Sequence, residues 1–109
     1  MNIHWKSFFA GLCSLWLVGC GPAAKDDTIR IAVIPKGTTH EFWQSIHAGA
    51  RKAEKELTAQ GKSVEIIWKG PLKEDDRDQQ MGLVESFTVK GVDGIVLAPL
   101  DAKALVRPV

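Results

Sequence analysis

The chain has 109 residues and a formal net charge of +1, from 14 Lys and Arg against 13 Asp and Glu. This balance argues against a nucleic-acid-binding protein, which would carry a strong basic excess. A hydrophobic content of 45% is too high for a disordered chain. Two Cys and three His are too few for a disulfide scaffold or a Cys-rich zinc module. The length allows one small globular domain.

The first twenty residues, MNIHWKSFFAGLCSLWLVGC, have the pattern of an export signal. Lys6 is followed by an uncharged, mostly apolar run from Phe8 to Gly19, which is the arrangement of a secretory signal peptide. This run is too short to span a membrane, because a spanning helix needs about 20 apolar residues. We therefore predict that residues 1–19 are a signal peptide that is removed on export.

The end of this run resembles the bacterial lipobox in the residues Leu17-Val18-Gly19-Cys20. The resemblance implies cleavage before Cys20 and acylation of its sulfur, so that more than one acyl chain anchors the protein in the membrane. Residues 20–28 would then be the lipidated Cys and a small, polar tether. Gly21 leaves inner-membrane and outer-membrane anchoring open. An uncleaved signal anchor and a plain secretory signal are the alternatives.

The first predicted strand and helix of the mature chain follow the tether. Ile29–Ile34 is almost continuously apolar and ends at Pro35, as in a strand buried on both faces of a parallel sheet. Thr38 and Glu41 have the spacing of a capping box, which predicts a helix that begins near residue 39 or 40. Steps of three or four residues place one apolar stripe on this helix: Trp43, Ile46, Ala50, Ala53 and Leu57.

The second strand and the second helix lie between glycine residues. Gly61 is predicted to end the first helix, and Val64–Trp68 is predicted as the second strand. The charge run that follows favours a solvated loop with acidic groups at the start of a helix. This helix is predicted from about Asp76 to Lys90, with Gly91 as its terminator. Three side chains are predicted to face inward from it: Leu83, Val84 and Phe87.

The third strand is predicted at Gly94–Ala98, ended by Pro99, and Asp101 is a good N-cap for a third helix that begins at Ala102. The element order β-α-β-α-β-(α) indicates an α/β fold with a parallel sheet, because right-handed crossovers pack the helices on the sheet faces. Such sheets bind ligands at the carboxyl ends of their strands. The candidate binding loops are therefore 36–43, 69–76 and 99–102.

The sequence lacks the familiar motifs of catalysis and cofactor binding. The loop after the first strand has neither a Gly-x-Gly-x-x-Gly nor a P-loop pattern, so we predict no nucleotide cofactor. His40 and Glu41 begin like a His-Glu-x-x-His zinc motif, but the fifth residue is Gln44. His47 would lie about 10 Å from His40 along a helix, too far to share one metal. With no nucleophile elbow either, we predict a protein without enzymatic activity, metal or cofactor.

Two adjacent aromatic residues, Phe42 and Trp43, stand at the predicted start of the first helix. Neighbouring helical side chains are about 100° apart, so if Trp43 faces the core, Phe42 points elsewhere, toward the cleft over the sheet edge. Flat aromatic faces stack on the apolar faces of sugars, while carboxylates accept hydrogen bonds from hydroxyls. The alternative, that both rings belong to the core, fits the sequence equally well.

The segment Gly91–Leu105, GVDGIVLAPLDAKAL, resembles the third-strand signature of the type I periplasmic binding proteins, the ribose/galactose-type sugar-binding family of ABC transporters. With the strand at 29–35 and the aromatic pair, the resemblance extends over Thr28–Val109. It implies that residues 29–109 form the first part of the N-terminal lobe of a two-lobed protein. It also implies a sugar-type ligand, an ABC permease as partner, and a location in the bacterial cell envelope that faces the periplasm.

The same resemblance implies the ligand-binding residues. Phe42 and Trp43 match the aromatic pair that sandwiches the sugar ring, and Asp101 matches the acidic residue that binds sugar hydroxyls after the third strand. His40, the fourth predicted ligand contact, stands where ribose-type members have Asn, and Ala102 stands where they often carry Arg. These departures leave the identity of the ligand open, within the class of small polar molecules such as sugars. Asp101 also keeps its interpretation as an N-cap.

On this resemblance we expect the chain to be an N-terminal piece of a longer protein. Half a cleft cannot shield a sugar from water, so each hydroxyl contact would contribute only about 1 kcal/mol net, and we expect very weak binding by this chain alone. Two alternatives stay open. The effector domain of LacI-type repressors shares the fold but follows a helix-turn-helix. A small envelope lipoprotein with a structural or interaction role would have to be stable at this length.

Overall fold

The computed structural model describes residues 26–107. The predicted signal peptide and the lipidation site at Cys20 lie outside these residues. Neither helix of the described part is both long and apolar enough to cross a membrane. The secondary structure consists of β1 (Ile29–Ile34), α1 (Glu41–Ala59), β2 (Val64–Trp68), α2 (Arg77–Lys90) and β3 (Gly94–Leu97).

The three strands form one parallel sheet in the order β2-β1-β3. The crossovers from β1 to β2 and from β2 to β3 run in opposite directions, and right-handed crossovers then place the two helices on opposite faces. The strand β1 is central, and its side chains alternate between these faces. The main core combines residues of β1, α2 and the last turn: Ala32, Ile34, Val84, Phe87 and Leu105. The predicted parallel α/β fold is confirmed.

The helix α1 begins at Glu41, with His40 as its N-cap. The His40 Nδ1 atom accepts a hydrogen bond from the backbone N–H of Phe42 at 3.1 Å. The predicted capping box was therefore wrong. The Thr38 hydroxyl donates instead to the backbone carbonyl of Pro71 at 3.2 Å, because the fold brings the loop after β2 within reach of that hydroxyl.

The inward face of α1 differs from the predicted apolar stripe. Ile46 is 39% exposed, and the His47 ring stacks on Trp68 with centroids 4.6 Å apart. Two turns further along the helix, a Glu54 carboxylate oxygen accepts from the backbone N–H of Ile66 at 2.8 Å. That N–H points away from β1, so Glu54 covers the free edge of β2. The residues that face the sheet are therefore Trp43, His47, Ala50, Glu54 and Leu57, of which two are polar.

The bounds of α2 match the prediction to within one residue. The Asp76 carboxylate accepts from the backbone N–H of Gln79 at 2.9 Å and caps the start of the helix. At the other end, Gly91 has a φ of 67°, a left-handed conformation that glycine adopts without steric cost. Val84 and Phe87 are buried and Leu83 is partly buried, so the predicted inward face of α2 is confirmed.

The predicted third helix is not formed within the described residues, where 102–107 are consecutive turns. The Asp101 carboxylate does cap this stretch, since one oxygen accepts from the backbone N–H groups of Lys103 and Ala104 at 2.8 and 2.9 Å. The turn continues with a bond from Val106 N to the Lys103 carbonyl, three residues back. A single turn followed by a proline at 108 does not repay the cost of helix nucleation.

Candidate ligand-binding site

The loops after β1 and β2 are joined at the carboxyl edge of the sheet. The hydroxyl of Thr38 donates to the Pro71 carbonyl, and the hydroxyl of Thr39 donates to the Leu72 carbonyl at 3.1 Å. Both bonds connect residues more than thirty positions apart in sequence. The two loops therefore form one surface. Because Thr38 and Thr39 directly precede α1, these bonds also fix the start of that helix.

A buried glutamine joins the carboxyl ends of β1 and β3. The Gln80 side chain is 1% exposed, and its amide nitrogen donates to the carbonyls of Pro35 and Ala98 at 3.1 and 2.9 Å. Its amide oxygen accepts from the backbone N–H of Leu100 at 2.8 Å. The sequence interpretation missed this residue. Its position four residues before Val84, on the inward face of α2, was the signal that could have identified it.

An open pocket of about 500 Å³ lies at this edge, lined by Lys36, His40, Phe42, Trp43 and Glu74. It brings together three of the four residues predicted to bind a ligand. Phe42 is 57% exposed and Trp43 is 9% exposed, so the alternative in which both rings lie in the core is wrong. The two rings meet edge to face, with centroids 4.9 Å apart and planes at 79°, and form an apolar corner.

Two of the pocket residues, Lys36 and Glu74, were not predicted as ligand contacts. Trp43 Nε1 donates a hydrogen bond to Glu74 Oε1 at 2.7 Å. Glu74 lies in the predicted binding loop 69–76, but nothing in the charge run of that loop distinguishes it from its neighbours. Lys36 lies in a predicted binding loop directly after Pro35, and that position was the signal that could have identified it.

Asp101 is not among the residues that line this pocket. One of its oxygens accepts the two capping N–H groups, and the other forms an ion pair with the Arg77 guanidinium at 3.2 Å. Hydrogen bonds from the backbone N–H groups of Ala104 and Lys103, and then from Arg77, lower the pKa of Asp101 below its ordinary value. The carboxylate is therefore ionised and already paired, as its interpretation as an N-cap predicts.

A second depression lies elsewhere in the described part of the chain. It measures about 480 Å³ and lies beside the start of β2, away from the carboxyl edge, lined by Glu54, Lys55, Thr58, Ala59 and Val64. Across residues 26–107, no group of three or more His, Cys, Asp or Glu side chains is arranged to hold a metal ion. The carboxyl-edge pocket is therefore the candidate ligand-binding site.

Comparison with known proteins identifies the family. A family model described as a periplasmic binding protein domain matches residues 31–109, and the chain belongs to that family. It is 38% identical over 77 residues to a D-ribose/D-allose-binding protein of Pseudomonas aeruginosa, which covers 71% of this chain and 23% of that protein. It is 31% identical over 99 residues to a xylitol-binding protein of Mycolicibacterium smegmatis, which covers 88% of this chain and 26% of that protein.

The fold of solved relatives agrees with this assignment. A carbohydrate transporter solute binding protein from Agrobacterium radiobacter, in complex with D-arabinose, superposes with a TM-score of 0.67 at 34% identity. The superposition covers 74% of this chain and 26% of that one. The chain thus spans about a quarter of the length of the relatives it matches. These relatives are binding proteins, and the expected resemblance to the sugar-binding members of the family is confirmed.

Proposed function

We propose that this chain contributes the first ligand-contacting surface of a substrate-binding lipoprotein of a sugar-type ABC transporter. The observation that carries the proposal is the carboxyl-edge pocket, where Phe42 and Trp43 form an apolar corner. Polar and charged groups of Lys36, His40 and Glu74 surround this corner. A pocket with aromatic walls and a few placed polar groups is the usual form of a small-molecule site.

The chemistry of a sugar fits this set of groups. The C–H faces of the ring pack on the exposed face of Phe42, while the Lys36 ammonium donates and the Glu74 carboxylate accepts hydrogen bonds at the hydroxyls. The Nδ1 atom of His40 is engaged by the helix start, which leaves Nε2 for the ligand. In this proposal Asp101 contacts the ligand from the loop after β3 only after exchanging its Arg77 partner.

The cellular setting follows from the leader and from the family. We propose that residues 1–19 direct export, that the sulfur of Cys20 is acylated, and that residues 20–28 tether the fold to the membrane on its periplasmic side. The family relationship supports an exported, periplasmic location. The partner of the longer protein would be an ABC permease, which receives the ligand from the binding protein.

Binding by this chain alone should be weak, because one open surface leaves the hydroxyls of a bound sugar in contact with water. The chain is labelled with ¹⁵N at tryptophan and titrated with D-allose, D-arabinose and xylitol, while the indole N–H signal of Trp43 is followed. We expect a saturable shift with a Kd in the millimolar range for at least one of the three. Saturation in the micromolar range would contradict the expectation for a half-open site.

Two variants test whether the ligand binds at the pocket or elsewhere on the surface. Phe42→Ala removes half of the apolar corner and should weaken the binding about tenfold, since a ring packed on a ligand contributes about 1.5 kcal/mol. Val89→Ala truncates another exposed apolar side chain, on α2 and 88% exposed, and should leave the titration unchanged. If none of the three compounds shifts Trp43, or if both variants behave alike, the pocket is not the binding site.

A further inference from the structure

Glu74 makes a contact that the aromatic corner depends on. The indole Nε1–H is the only hydrogen-bond donor of the Trp43 side chain, and it donates to Glu74 Oε1 at 2.7 Å. Trp43 is 9% exposed, and this hydrogen bond is partly buried. The bond spans 31 positions in sequence and connects α1 to the loop after β2. The rotation of the Trp43 ring about its side-chain bonds is therefore tied to the position of one carboxylate.

The aliphatic part of Glu74 is held from the other side by Gly37. A Cβ atom built on Gly37 would lie 2.8 Å from Glu74 Cγ and 3.4 Å from the Glu74 backbone nitrogen. Real Cβ atoms do not approach other atoms at 2.8 Å, so any larger residue at position 37 would displace the Glu74 side chain. Gly37 is itself buried. The position of Glu74 is thus set by a close approach of backbone and by a hydrogen bond.

Glu74 is exposed, and among the described residues the only hydrogen bond or ion pair of its carboxylate is the one that Trp43 donates to Oε1, so Oε2 is open to solvent and to a ligand. Glu74 lines the pocket together with Trp43 and Phe42. An ionised carboxylate accepts hydrogen bonds and donates none. In the pocket it therefore favours a ligand that presents a hydroxyl.

We propose that Glu74 has two linked tasks in the pocket: Oε1 orients the Trp43 ring, and Oε2 accepts a hydrogen bond from a hydroxyl of the ligand. The first task makes Glu74 a positioning residue for the aromatic corner. The second makes it a specificity-determining contact, and it rests on the function proposed above. Glu74 thereby selects ligands in which a hydroxyl lies beside an apolar face.

The two tasks are separated by two substitutions at one position. Glu74→Gln keeps an amide oxygen for the indole N–H but replaces the second oxygen by an NH₂ donor, whereas Glu74→Ala removes both acceptors. The first readout is the indole N–H signal of Trp43 in the full chain, labelled with ¹⁵N at tryptophan and assigned with Trp43→Phe. The second readout is the affinity for D-allose, D-arabinose or xylitol, whichever the wild-type chain binds.

We expect the Glu74→Gln chain to keep the Trp43 indole signal near its wild-type position and to bind the sugar about fivefold to tenfold more weakly, because a charged acceptor is lost. In Glu74→Ala the indole signal should move upfield, since its hydrogen bond is absent, and the affinity should fall further. Gly37→Ala should move the same signal although the carboxylate is still present. Gly49→Ala, whose new methyl meets nothing within 4 Å, should change neither readout.

Each result decides one task. An indole signal that stays in place in Glu74→Ala overturns the positioning role, whatever the sugar data show. An unchanged affinity in Glu74→Gln overturns the role of Oε2 as a ligand contact. If the wild-type chain binds none of the three compounds, the proposed function and the ligand contact fail together, and the indole signals of the variants still decide the positioning role.

Discussion

The buried Gln80 side chain should be the most sensitive polar position of this fold. It makes three hydrogen bonds to backbone groups at the carboxyl ends of β1 and β3. The substitution Gln80→Ala would leave the carbonyls of Pro35 and Ala98 and the N–H of Leu100 without these partners. No other side chain bonds to these three groups in the described part of the chain.

The expected loss of stability in Gln80→Ala follows from the number of hydrogen bonds that are removed. A hydrogen bond inside a protein contributes about 1 kcal/mol net, and more when its loss leaves a buried group unpaired. Three such bonds should lower the free energy of unfolding by about 3 kcal/mol or more. Even a complete native domain has a total stability of only about 5–15 kcal/mol, so a loss of this size should be a large part of the stability of this chain.

The assay is urea unfolding followed by far-ultraviolet circular dichroism, together with hydrogen exchange of the Leu100 amide. A loss of about 3 kcal/mol lowers the urea midpoint by roughly 1–3 M, and the Leu100 amide should exchange faster. The matched control is Gln79→Ala at the preceding position. Gln79 makes one exposed side-chain hydrogen bond, to the N–H of Leu72, so this variant should lose about 1 kcal/mol at most.

Equal losses in the two glutamine variants would refute the reasoning, because they would show that burial and the number of bonds do not set the cost. The same conclusion would follow if the Leu100 amide exchanged at the wild-type rate in Gln80→Ala. That result would mean that the N–H is protected by something other than the glutamine side chain.

Three further substitutions test other parts of the chain. The fold lowers the pKa of Asp101 below its ordinary value of 3.8, so the ionised carboxylate stabilises the protein at pH values above 3.8. This stabilisation is lost as the pH falls through the lowered pKa. Asp101→Asn, which breaks the ion pair with Arg77, should therefore lower the urea midpoint more at about pH 6 than at about pH 2, and equal effects at both would contradict this sign. Gly49→Ala should raise the thermal midpoint, because alanine stabilises an exposed helix by about 1 kcal/mol relative to glycine; an unchanged or lower midpoint would contradict it. Cys20→Ala should abolish incorporation of labelled palmitate in bacteria whereas Cys13→Ala should not, and retained label in Cys20→Ala would exclude this anchor.

Local patterns in the sequence were sufficient for most element bounds. The strand Ile29–Ile34 matches its prediction at both ends, and α2 ends at Lys90 with Gly91 as its C-cap, as predicted. These ends depend on interactions within a few residues, such as a proline that interrupts a strand or a glycine that adopts a left-handed conformation. The prediction of a third helix was wrong for a related reason. A good N-cap at Asp101 starts a turn, but it does not supply the backbone hydrogen bonds that would extend the turn into a helix.

Polar residues with distant partners could not be predicted in the same way. The inward positions of α1 include His47 and Glu54, whose partners are the Trp68 ring and a free N–H at the edge of β2. An apolar count favoured the neighbouring positions 46 and 53, because periodicity cannot tell that a helix lies against a sheet edge, where polar side chains have partners. The capping box predicted at Thr38 was wrong for the same reason, because the Thr38 hydroxyl bonds to the distant carbonyl of Pro71.

The sequence by itself determined the parallel α/β class, the resemblance to the periplasmic binding proteins and the choice of the aromatic pair, because these depend on local pattern and composition. Only the tertiary structure decided that Trp43 is buried against Glu74, that Phe42 is exposed beside it, and that Asp101 lies outside their pocket. The physical reason is that a hydrogen bond or a close approach between residues about thirty positions apart cannot be inferred from the amino-acid sequence of either segment. It exists only once the carboxyl ends of the strands have been brought to one edge.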